Sequence, residues 1–468
     1  MIAEAAGPMS RRSANGVDVA LPEAFVTRQA ALLGPEAESF LTSLSQPPVR
    51  ALRVNERKAT LAQVAGRLAL TVDPVPWCPT ATYLPSSARP GDSVEHRAGL
   101  FYLQEPSSMA VVEALDIRPN HFVLDIAAAP GGKATHAASR LGMDGLLMAN
   151  EVVSGRLGPL LSNLDGWGYA NTAVASTRAS RLAEFYPAFF DRIIVDAPCT
   201  GEALFRRDPA SRAQWSEAQV RGAARRQSKL LASAAQTAAP GALLAYSTCT
   251  FGPAENEEQI ARFLDEHTAW EPVDISSLPG SDHGRFIGVG AGHGKALQFL
   301  PHECRCEGQF VSVLRAPGES RDRRPPATGR RKQSQPPHPA WAAFATETLR
   351  NGFDPALVLL RGDTFFLQPP ALQEPAPLLR PGLQLGRLVG KTFRPAHALA
   401  MALDRDAVLA PEPLDKDELS EFRSGQSVSR PGPPGWVLVT LEAWPIGWAQ
   451  RKNNVLTPRL PAHARQRG

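Results

Sequence analysis

Between His121 and Arg315, buried apolar runs typical of β-strands alternate with segments whose apolar residues recur at helical spacing. Five strands are predicted there, with helical segments between most of them: FVLDIAA, GLLMANE, NTAVAS, RIIVDAP and ALLAYSTCT. Strands joined by helices run parallel, so the pattern predicts an α/β fold whose doubly wound sheet carries helices on both faces. The closing segment ALQFLPHECRCEGQFVSVLRA predicts an antiparallel hairpin.

The rest of the chain divides around this region. Residues 1–20 predict a disordered lead, and residues 21–119 form an N-terminal region that opens with a helical pattern. The alternating region spans residues 120–315. Residues 316–339 hold Pro, Arg and polar residues with almost nothing to bury, which predicts a linker. Residues 340–468 show short strand patterns with glycine turns and predict a separate, smaller and mostly β domain.

Three segments outside the alternating region carry local expectations. VRALRVNERK predicts a short strand with basic flanks followed by a helix, and WCPTATYLPSSARPGDS predicts turns. LQLGRLVGKTFRPAHALAMAL predicts short strands. The basic strand fits an RNA-binding surface, and a solvated charged face explains it equally well, so both interpretations stay open.

The charge balance and the cysteine content limit the partners and the compartment. A net charge of +4 and a pI of about 8.9 are compatible with a polyanionic partner but do not establish one. No apolar run reaches the ~18 residues of a membrane span, and the N-terminus lacks the pattern of a secretory signal. Five scattered cysteines are too few for a disulfide framework. We therefore expect reduced thiols, a cytoplasmic location and no membrane partner.

The loop after the first predicted strand, LDIAAAPGGKATH, lies where open α/β sheets bind ligands. Ala127 and Ala134 stand where a phosphate-binding P-loop needs Gly and Ser or Thr, and the GxGxxG fingerprint of dinucleotide enzymes is absent. The remaining interpretation is a loop for a nucleoside-type ligand, which needs no pyrophosphate cradle. Pro130 stiffens the turn, and the small residues that allow close approach are Ala127, Ala128, Ala129, Gly131 and Gly132.

Two acidic residues stand beside this loop. Glu151 ends the second strand, where a carboxylate accepts hydrogen bonds from ribose hydroxyls, although a carboxylate at a helix start also explains it. Asp125 lies inside the first strand, as a partner for loop amides or as a structural cap.

A cysteine follows each of the last two predicted parallel strands. Cys199 lies in DAPCTGEALFRRDP and Cys249 in YSTCTFGPAENE, and the two strands are expected to be neighbours. Either cysteine alone is explained by a small buried hydrophobic residue. The pair, flanked by Asp196 and by Ser247, instead predicts a thiol-based catalytic site at one sheet edge.

These three motifs together resemble the RsmB/RsmF (Nop/Sun) family of RNA (cytosine-5) methyltransferases, and FYLQEPSS resembles the segment that precedes the family's catalytic domain. The resemblance covers roughly residues 21–315. It implies a Rossmann-like domain dependent on S-adenosyl-L-methionine, preceded by an RNA-binding lobe. It also implies that Cys249 is the nucleophile and that Cys199 assists product release. The residues implied to contact the cofactor or the base are the loop from Ala127 to Lys133, Glu151 and Asp196.

The implied chemistry explains why two thiols and a carboxyl group stand together. Carbon 5 of cytosine is a poor nucleophile, and addition of a thiolate at carbon 6 produces an enamine that activates it. Protonation at ring nitrogen 3 favours this addition, which gives Asp196 a role beside the base. The second thiol assists elimination. One position departs from the family: Arg178 stands where an Asp usually holds the adenine, so we expect backbone amides there.

The C-terminal region resembles the extra, PUA-like RNA-binding domain of RsmF-type members, which act on small-subunit ribosomal RNA. The long helical N-terminal domain of RsmB-type members has no counterpart here. The predicted partner is therefore 16S ribosomal RNA, in the small subunit. Alternatives are the same chemistry on transfer RNA and a non-catalytic ribosome-assembly factor. Cys304 and Cys306 offer too few ligands for a metal, so no metal is expected.

Overall fold

The computed structural model of the chain describes residues 19–289, 295–320, 337–372 and 378–465. Nearly all of the expected disordered lead, residues 1–20, lies outside the described residues. Most of the expected linker, residues 316–339, also lies outside them.

The N-terminal lobe is a small antiparallel sheet with helices around it. Its strands pair in the order β2–β3–β1–β4. The strands are β1 (Ala51–Val54), β2 (Pro74–Val75), β3 (Cys78–Tyr83) and β4 (Phe101–Gln104). The helices are α1 (Glu23–Leu33), α2 (Ala37–Ser43), α3 (Leu61–Arg67) and α4 (Val94–Arg97).

Of the two local predictions for this lobe, one is confirmed and the other was partly wrong. The strand and helix expected for VRALRVNERK and the residues after it are confirmed as β1 and α3. The expectation of turns throughout WCPTATYLPSSARPGDS was wrong in its first half, which forms β3. Thr and Tyr favour strands, and Pro79 is tolerated because it precedes the residues, Ala81 onwards, that pair with β1.

The central sheet confirms the doubly wound arrangement. Its parallel strands lie in the order β9–β8–β5–β6–β7. The chain starts at β5, adds β6 and β7 on one side of it, and then adds β8 and β9 on the other side. The strands are β5 (Phe122–Asp125), β6 (Leu146–Asn150), β7 (Thr172–Ala175), β8 (Phe190–Asp196) and β9 (Ala238–Thr248). The helices are α5 (Pro106–Glu113), α6 (Gly132–Ser139), α7 (Ser154–Trp167), α8 (Ala179–Phe185), α9 (Pro209–Gln214), α10 (Glu217–Gln236) and α11 (Glu257–Glu266).

Antiparallel strands extend the central sheet at both edges. The expected hairpin is confirmed, and its second strand pairs with β9. This edge contains β10 (Glu271–Val273), β11 (Arg285–Gly288), β12 (Lys295–Phe299) and β13 (Gln309–Arg315). At the other edge, β16 (Leu378–Arg380) comes from the C-terminal region and pairs with β7, where Arg380 also forms a 2.7 Å ion pair with Asp165. The C-terminal region therefore shares a sheet with the central domain.

The described part of the C-terminal region forms two further sheets. The first pairs β14 with β15, β15 with β17 and β17 with β18, and the second has the order β19–β21–β22–β23–β20. The remaining helices are α12 (Pro339–Thr348), α13 (His397–Ala402) and α14 (Lys416–Ser424). The remaining strands are β14 (Val358–Arg361), β15 (Thr364–Leu367), β17 (Leu383–Val389), β18 (Thr392–Pro395), β19 (Pro411–Pro413), β20 (Val428–Ser429), β21 (Gly435–Leu441), β22 (Trp444–Lys452) and β23 (Val455–Pro458).

The expectation of strands throughout LQLGRLVGKTFRPAHALAMAL was wrong at its end. The first part forms β17 and β18, but the last residues form α13. Consecutive Ala, Leu and Met favour a helix and lack the alternation of a half-buried strand. No helix among the described residues combines the length and the apolarity needed to cross a lipid bilayer.

The basic residues of VRALRVNERK join parts of the molecule. Arg53 is fully buried and donates to the carbonyl of Gly132 in α6, and Arg57 donates to carbonyls of the central domain and of α13. Lys58 donates to two carbonyls, and burial lowers its pKa to about 7. Arg50 donates to three carbonyls of its own lobe. These cations therefore hold carbonyl groups of the protein, and RNA binding by this lobe stays a prediction.

A buried histidine makes the stability of this fold depend on pH. His136 in α6 is fully buried, with its Nε2 3.0 Å from a Glu113 carboxylate oxygen. Burial, together with the charge of Arg53, lowers the pKa of His136 from 6.5 to about 4. The unfolded chain therefore binds more protons between these two values. The contribution of the neutral His136 to stability is complete above pH 6.5 and is lost as the pH falls towards 4.

We expect the free energy of unfolding to fall by about 2 kcal/mol between neutral pH and about pH 5 from this residue alone. Thermal denaturation across this range measures the slope. His136→Gln should reduce the slope by this amount, whereas His283→Gln, at an exposed histidine, should leave it unchanged. Equal slopes for the wild type and His136→Gln would contradict the assignment.

Candidate active site

The two motif cysteines lie in contact at the carboxyl ends of β8 and β9. The strands are parallel neighbours, as expected, with Asp196 opposite Ser247 in the register. Cys249 directly follows β9, and Cys199 lies three residues beyond β8. Their Sγ atoms are 3.4 Å apart, and both side chains are partly exposed. The tertiary fold therefore brings together two thiols separated by fifty positions in the sequence.

Asp196 joins the glycine turn to the strands that carry the thiols. Its Oδ2 lies 2.9 Å from the Nζ of Lys133, and its Oδ1 accepts a 2.9 Å hydrogen bond from the Ser247 hydroxyl. Gln309, at the start of β13, donates to the same Oδ1 at 3.4 Å. Burial acts to lower the pKa of Lys133, but the Asp196 charge and hydrogen bond, with the nearby Cys249, raise it overall. Lys133 is therefore a fixed cation beside the thiol pair.

The glycine turn packs closely against α7. Gly131 has a φ of 114°, in the left-handed region, and α6 begins at the next residue. A Cβ atom there would lie 3.3 Å from Leu160 and 3.4 Å from Asn163, whose amide also donates to the Pro130 carbonyl. The turn is thus held from α7 while its other side faces the carboxyl ends of the strands.

The residues beside the turn suit a nucleoside. Asp125 is 1% exposed, neither carboxylate oxygen accepts a hydrogen bond of standard geometry, and burial beside Asp196 raises its pKa to about 7. Glu151 is 2% exposed, and its Oε2 has no hydrogen-bond partner within the described residues, although Arg156 lies 3.3 Å away. Val152 is 58% exposed and offers apolar surface next to these acceptors. Unused acceptors beside an apolar surface fit a ligand with hydroxyl groups and a flat ring.

The two interpretations of Glu151 both have structural support. Its Oε1 accepts the Val153 amide at 2.8 Å, as a carboxylate at a helix start does, and its Oε2 accepts no hydrogen bond of standard geometry and has Arg156 as its ion-pair partner at 3.3 Å. Arg178 is exposed at the start of α8 and offers no acceptor to an adenine amino group. The nearby Thr177 amide already donates to Asn150 at 3.1 Å. Adenine recognition by backbone amides stays a prediction.

Sequence reasoning missed several polar residues that build the site. Gln309 holds Asp196 together with Ser247, which the sequence already placed beside the thiols, and Glu202 and Glu255 stand behind the cysteines. The two glutamates lie within the motifs already quoted, so a search of those motifs for buried acids would have found them. Gln309 carries no such signal, because the hairpin brings it to the site from far along the chain.

This doubly wound sheet, with a glycine turn beside a thiol pair, together with the family match over the central domain, defines a Rossmann-like methyltransferase dependent on S-adenosyl-L-methionine. Family models match four parts of the chain. The 16S rRNA methyltransferase RsmB/F model covers residues 112–315, and the RsmF N-terminal domain covers residues 21–106. The RsmF first C-terminal domain covers residues 343–403, and the RsmF PUA domain covers residues 413–466.

Relatives over most of the chain agree with the family models. Ribosomal RNA small subunit methyltransferase F of Vibrio cholerae serotype O1 (strain M66-2) is 31% identical, covering 89% of this chain and 91% of its own. The enzyme of the same name from Salmonella agona (strain SL483) is 33% identical, covering 92% and 94%. The chain therefore belongs to the RsmB/RsmF family of RNA methyltransferases.

Solved structures support the same fold. A methyltransferase homolog protein from Pyrococcus horikoshii is similar with a TM-score of 0.55 and 27% identity, covering 64% of this chain and 96% of its own. NSun6 from the same organism, solved with SFG, gives a TM-score of 0.55 over 64% of this chain and all of its own. At 21% identity, the second likeness supports the fold alone.

The Lys133–Asp196 ion pair should contribute measurably to stability. Asp196→Asn leaves the largely buried ammonium of Lys133 without its charge partner. We expect a loss of about 2 kcal/mol in the free energy of unfolding, below the usual value for a fully buried pair because Asp196 is partly exposed. Asp116→Asn is the matched control, because it breaks an equally short 2.9 Å pair with Arg118 that is exposed, and should cost less than about 0.5 kcal/mol. Urea denaturation distinguishes the two, and equal losses would refute a special role for the buried pair.

Proposed function

We propose that this enzyme transfers a methyl group from S-adenosyl-L-methionine to carbon 5 of one or more cytosines in 16S ribosomal RNA, through a covalent bond between Cys249 and the base. The observation that carries the proposal is the 3.4 Å contact of the Cys199 and Cys249 sulfur atoms, next to the ion pair between Asp196 and the glycine turn. Two thiols, a carboxylate and the glycine turn lie together at the carboxyl ends of β8 and β9, which supports their assignment as nucleophile, release group, base contact and donor site.

The proposed donor site is the glycine turn with the acceptors beside it. Bound there, S-adenosyl-L-methionine supplies an electrophilic methyl group. The residues assigned to it are Ala127, Ala128, Ala129, Pro130, Gly131, Gly132, Lys133, Glu151 and Asp196. The Oε2 of Glu151, which accepts no hydrogen bond of standard geometry, suits a ribose hydroxyl, and the exposed Val152 suits the adenine ring.

Cys249 is assigned as the nucleophile because addition of its sulfur to carbon 6 makes carbon 5 electron-rich. Asp196 is assigned to the edge of the base that carries nitrogen 3, where it accepts a hydrogen bond from the protonated ring. Lys133, Ser247 and Gln309 hold this carboxylate in place. Fixed groups of this kind stabilise developing charge without reorganisation during the reaction.

Cys199 is assigned to product release. Its hydrogen bond with Cys249, followed by burial, raises the pKa of the Cys199 thiol well above its ordinary value, so it stays protonated at neutral pH. When a solvent water molecule takes the proton on carbon 5, the electron pair of that bond restores the double bond between carbons 5 and 6, and the bond from carbon 6 to Cys249 breaks. The departing sulfur, which keeps the electron pair of that bond, lies within hydrogen-bond distance of the Cys199 thiol. A neutral neighbouring thiol stabilises the thiolate that departs.

The relatives' names and the PUA-domain match support ribosomal RNA of the small subunit as the partner. The five free cysteines support a reducing compartment, and we propose the cytoplasm.

The proposed division is an N-terminal RNA-binding region at residues 21–119, a methyltransferase domain at 120–315, a linker at 316–339 and a C-terminal RNA-binding domain at 340–468. The expectation that no metal and no membrane take part remains a prediction.

Replacing each thiol should produce a different defect. Cys249→Ala should abolish incorporation of labelled methyl groups into purified small subunits, by at least about 10³-fold, because the activating addition is lost. Cys199→Ala should instead accumulate a protein–RNA adduct, seen as a shifted band on a denaturing gel. Cys304→Ser, at a thiol outside the site, should keep wild-type activity. Undiminished activity of Cys249→Ala would refute the nucleophile, and no adduct with Cys199→Ala would count against its role in release.

Mapping 5-methylcytosine separates the proposed substrate from the alternatives. In a deletion strain, bisulfite sequencing should show loss of methylation at specific 16S positions, with transfer RNA unchanged. A plasmid copy of the wild type should restore the methylation, and a Cys249→Ala copy should not. Loss of methylation confined to transfer RNA would show that transfer RNA is the substrate instead. Full rescue by the Cys249→Ala copy would favour a non-catalytic assembly factor.

A further inference from the structure

Each of the two cysteine loops carries a glutamate a few residues after its cysteine. Glu202 follows Cys199, and Glu255 follows Cys249. Both glutamates are 0% exposed, which is costly for a carboxylate unless donors surround it. The groups that surround each carboxylate therefore show which parts of the chain it holds in place.

Glu202 holds the loop of the other cysteine. Its Oε2 accepts the backbone amide of Phe251, two residues beyond Cys249, at 2.9 Å. Its Oε1 accepts the indole N–H of Trp215 at 2.8 Å and lies 2.8 Å from the guanidinium of Arg28 in α1. The residue after Glu202 reinforces the link, because the Ala203 amide donates to the Cys249 carbonyl at 3.0 Å.

Glu255 makes the reciprocal connection. Its Oε2 accepts the backbone amide of Thr200, the residue after Cys199, at 3.0 Å and the side-chain amide of Gln227 at 2.8 Å. Its Oε1 accepts a hydrogen bond from the Thr200 hydroxyl. That hydroxyl also lies 3.3 Å from the hydroxyl of Thr250, the residue after Cys249. Each glutamate thus begins in one loop and binds the backbone of the other.

We propose that Glu202 and Glu255 form a crossed clamp that fixes the spacing and orientation of the two thiols, an inference that rests on the catalytic roles proposed for Cys249 and Cys199. Neither carboxylate contacts a sulfur atom through a hydrogen bond, so both are positioning residues. Isolated loop caps would each bind their own loop. The crossing makes the position of either thiol depend on both loops.

The clamp has a physical reason in the chemistry. The loops after β8 and β9 have left the hydrogen-bond ladder of the sheet, so the strands alone do not fix the sulfur positions. Addition and elimination both require the sulfur atoms to be placed within a fraction of an ångström, and a displacement of about 1 Å costs on the order of 10²-fold in rate. Buried carboxylates provide this precision because an unsatisfied charge is too costly to leave.

Glu202→Gln and Glu255→Gln test the clamp with near-isosteric side chains. Each should lower kcat by about 10-fold to 100-fold and leave the KM values for RNA and for S-adenosyl-L-methionine within about twofold, because no substrate contact is removed. Glu255→Gln should also accumulate the protein–RNA adduct, because it releases the loop of Cys199. Glu202→Gln should form the adduct slowly. Glu258→Gln, at an exposed glutamate of α11, is the matched control and should match the wild type.

A second measurement reports thiol geometry without activity. Diamide oxidises two neighbouring thiols to a disulfide and is itself reduced to the hydrazine by the two protons and two electrons that the thiols lose. Mass spectrometry measures the rate for each pair. Cys304 and Cys306, whose sulfur atoms are 3.1 Å apart outside the clamp, serve as a reference pair within the same molecule. In both clamp variants the Cys199–Cys249 disulfide should form about tenfold more slowly relative to the reference pair.

The outcomes separate the clamp from the proposed function. Wild-type kcat together with an unchanged ratio of oxidation rates would overturn the clamp. Equal changes at both thiol pairs would also overturn it, because they would show a general loss of structure. Full activity of Cys249→Ala with a slowed Cys199–Cys249 disulfide in the glutamate variants would instead refute the nucleophile and leave the clamp in place as a geometric device.

Discussion

Parallel pairing of β8 with β9, in the register that sets Asp196 opposite Ser247, brings two distant loops to the same edge of the sheet. Every feature of the site follows from this pairing. The Ser247 hydroxyl reaches Asp196, and the chain leaving each strand delivers one thiol. Because side chains alternate along a strand, a shift of one residue would turn Asp196 away from Ser247. The apolar residues in the middle of both strands are buried on both faces of the sheet.

Buried charges complete what the strand pairing begins. Lys133 with Asp196 joins the glycine turn to the strands that carry the thiols, and Glu202 with Arg28 joins the loop of Cys199 to the first helix. Charges removed from water contribute little net stability compared with apolar packing, but they tolerate few alternative arrangements. In this molecule the polar network therefore sets geometry, while the hydrophobic clusters on the two faces of the central sheet supply most of the stability.

The terminal regions take part in building the site. Arg53 of the N-terminal lobe donates to the first turn of α6, directly after the glycine turn, and α1 provides Arg28. The C-terminal region adds β16 to the edge of the central sheet beside β7. A strand at that edge satisfies backbone groups that would otherwise stay unpaired. Parts of the chain that resemble appended RNA-binding modules thus also support the catalytic domain.

The sequence by itself determined the order of strands and helices in the central domain, the place of the glycine turn and the two loops that hold Cys199 and Cys249. These features depend on local periodicity and on the rule that parallel strands present their carboxyl ends together, so they can be read without coordinates. The sequence misassigned β3 and α13, where composition is ambiguous and tertiary pairing or packing decides between states.

Only the tertiary structure decided how distant polar groups meet. Three sets of contacts connect positions far apart in the chain. They are the hydrogen bonds from the basic residues around β1 to carbonyl groups, the contact of Gln309 with Asp196, and the crossing of Glu202 with Glu255. A sequence pattern records which residue types occur but not which buried donor each acceptor meets. That partner depends on the packing of whole elements, and the cost of an unsatisfied buried group makes the choice specific.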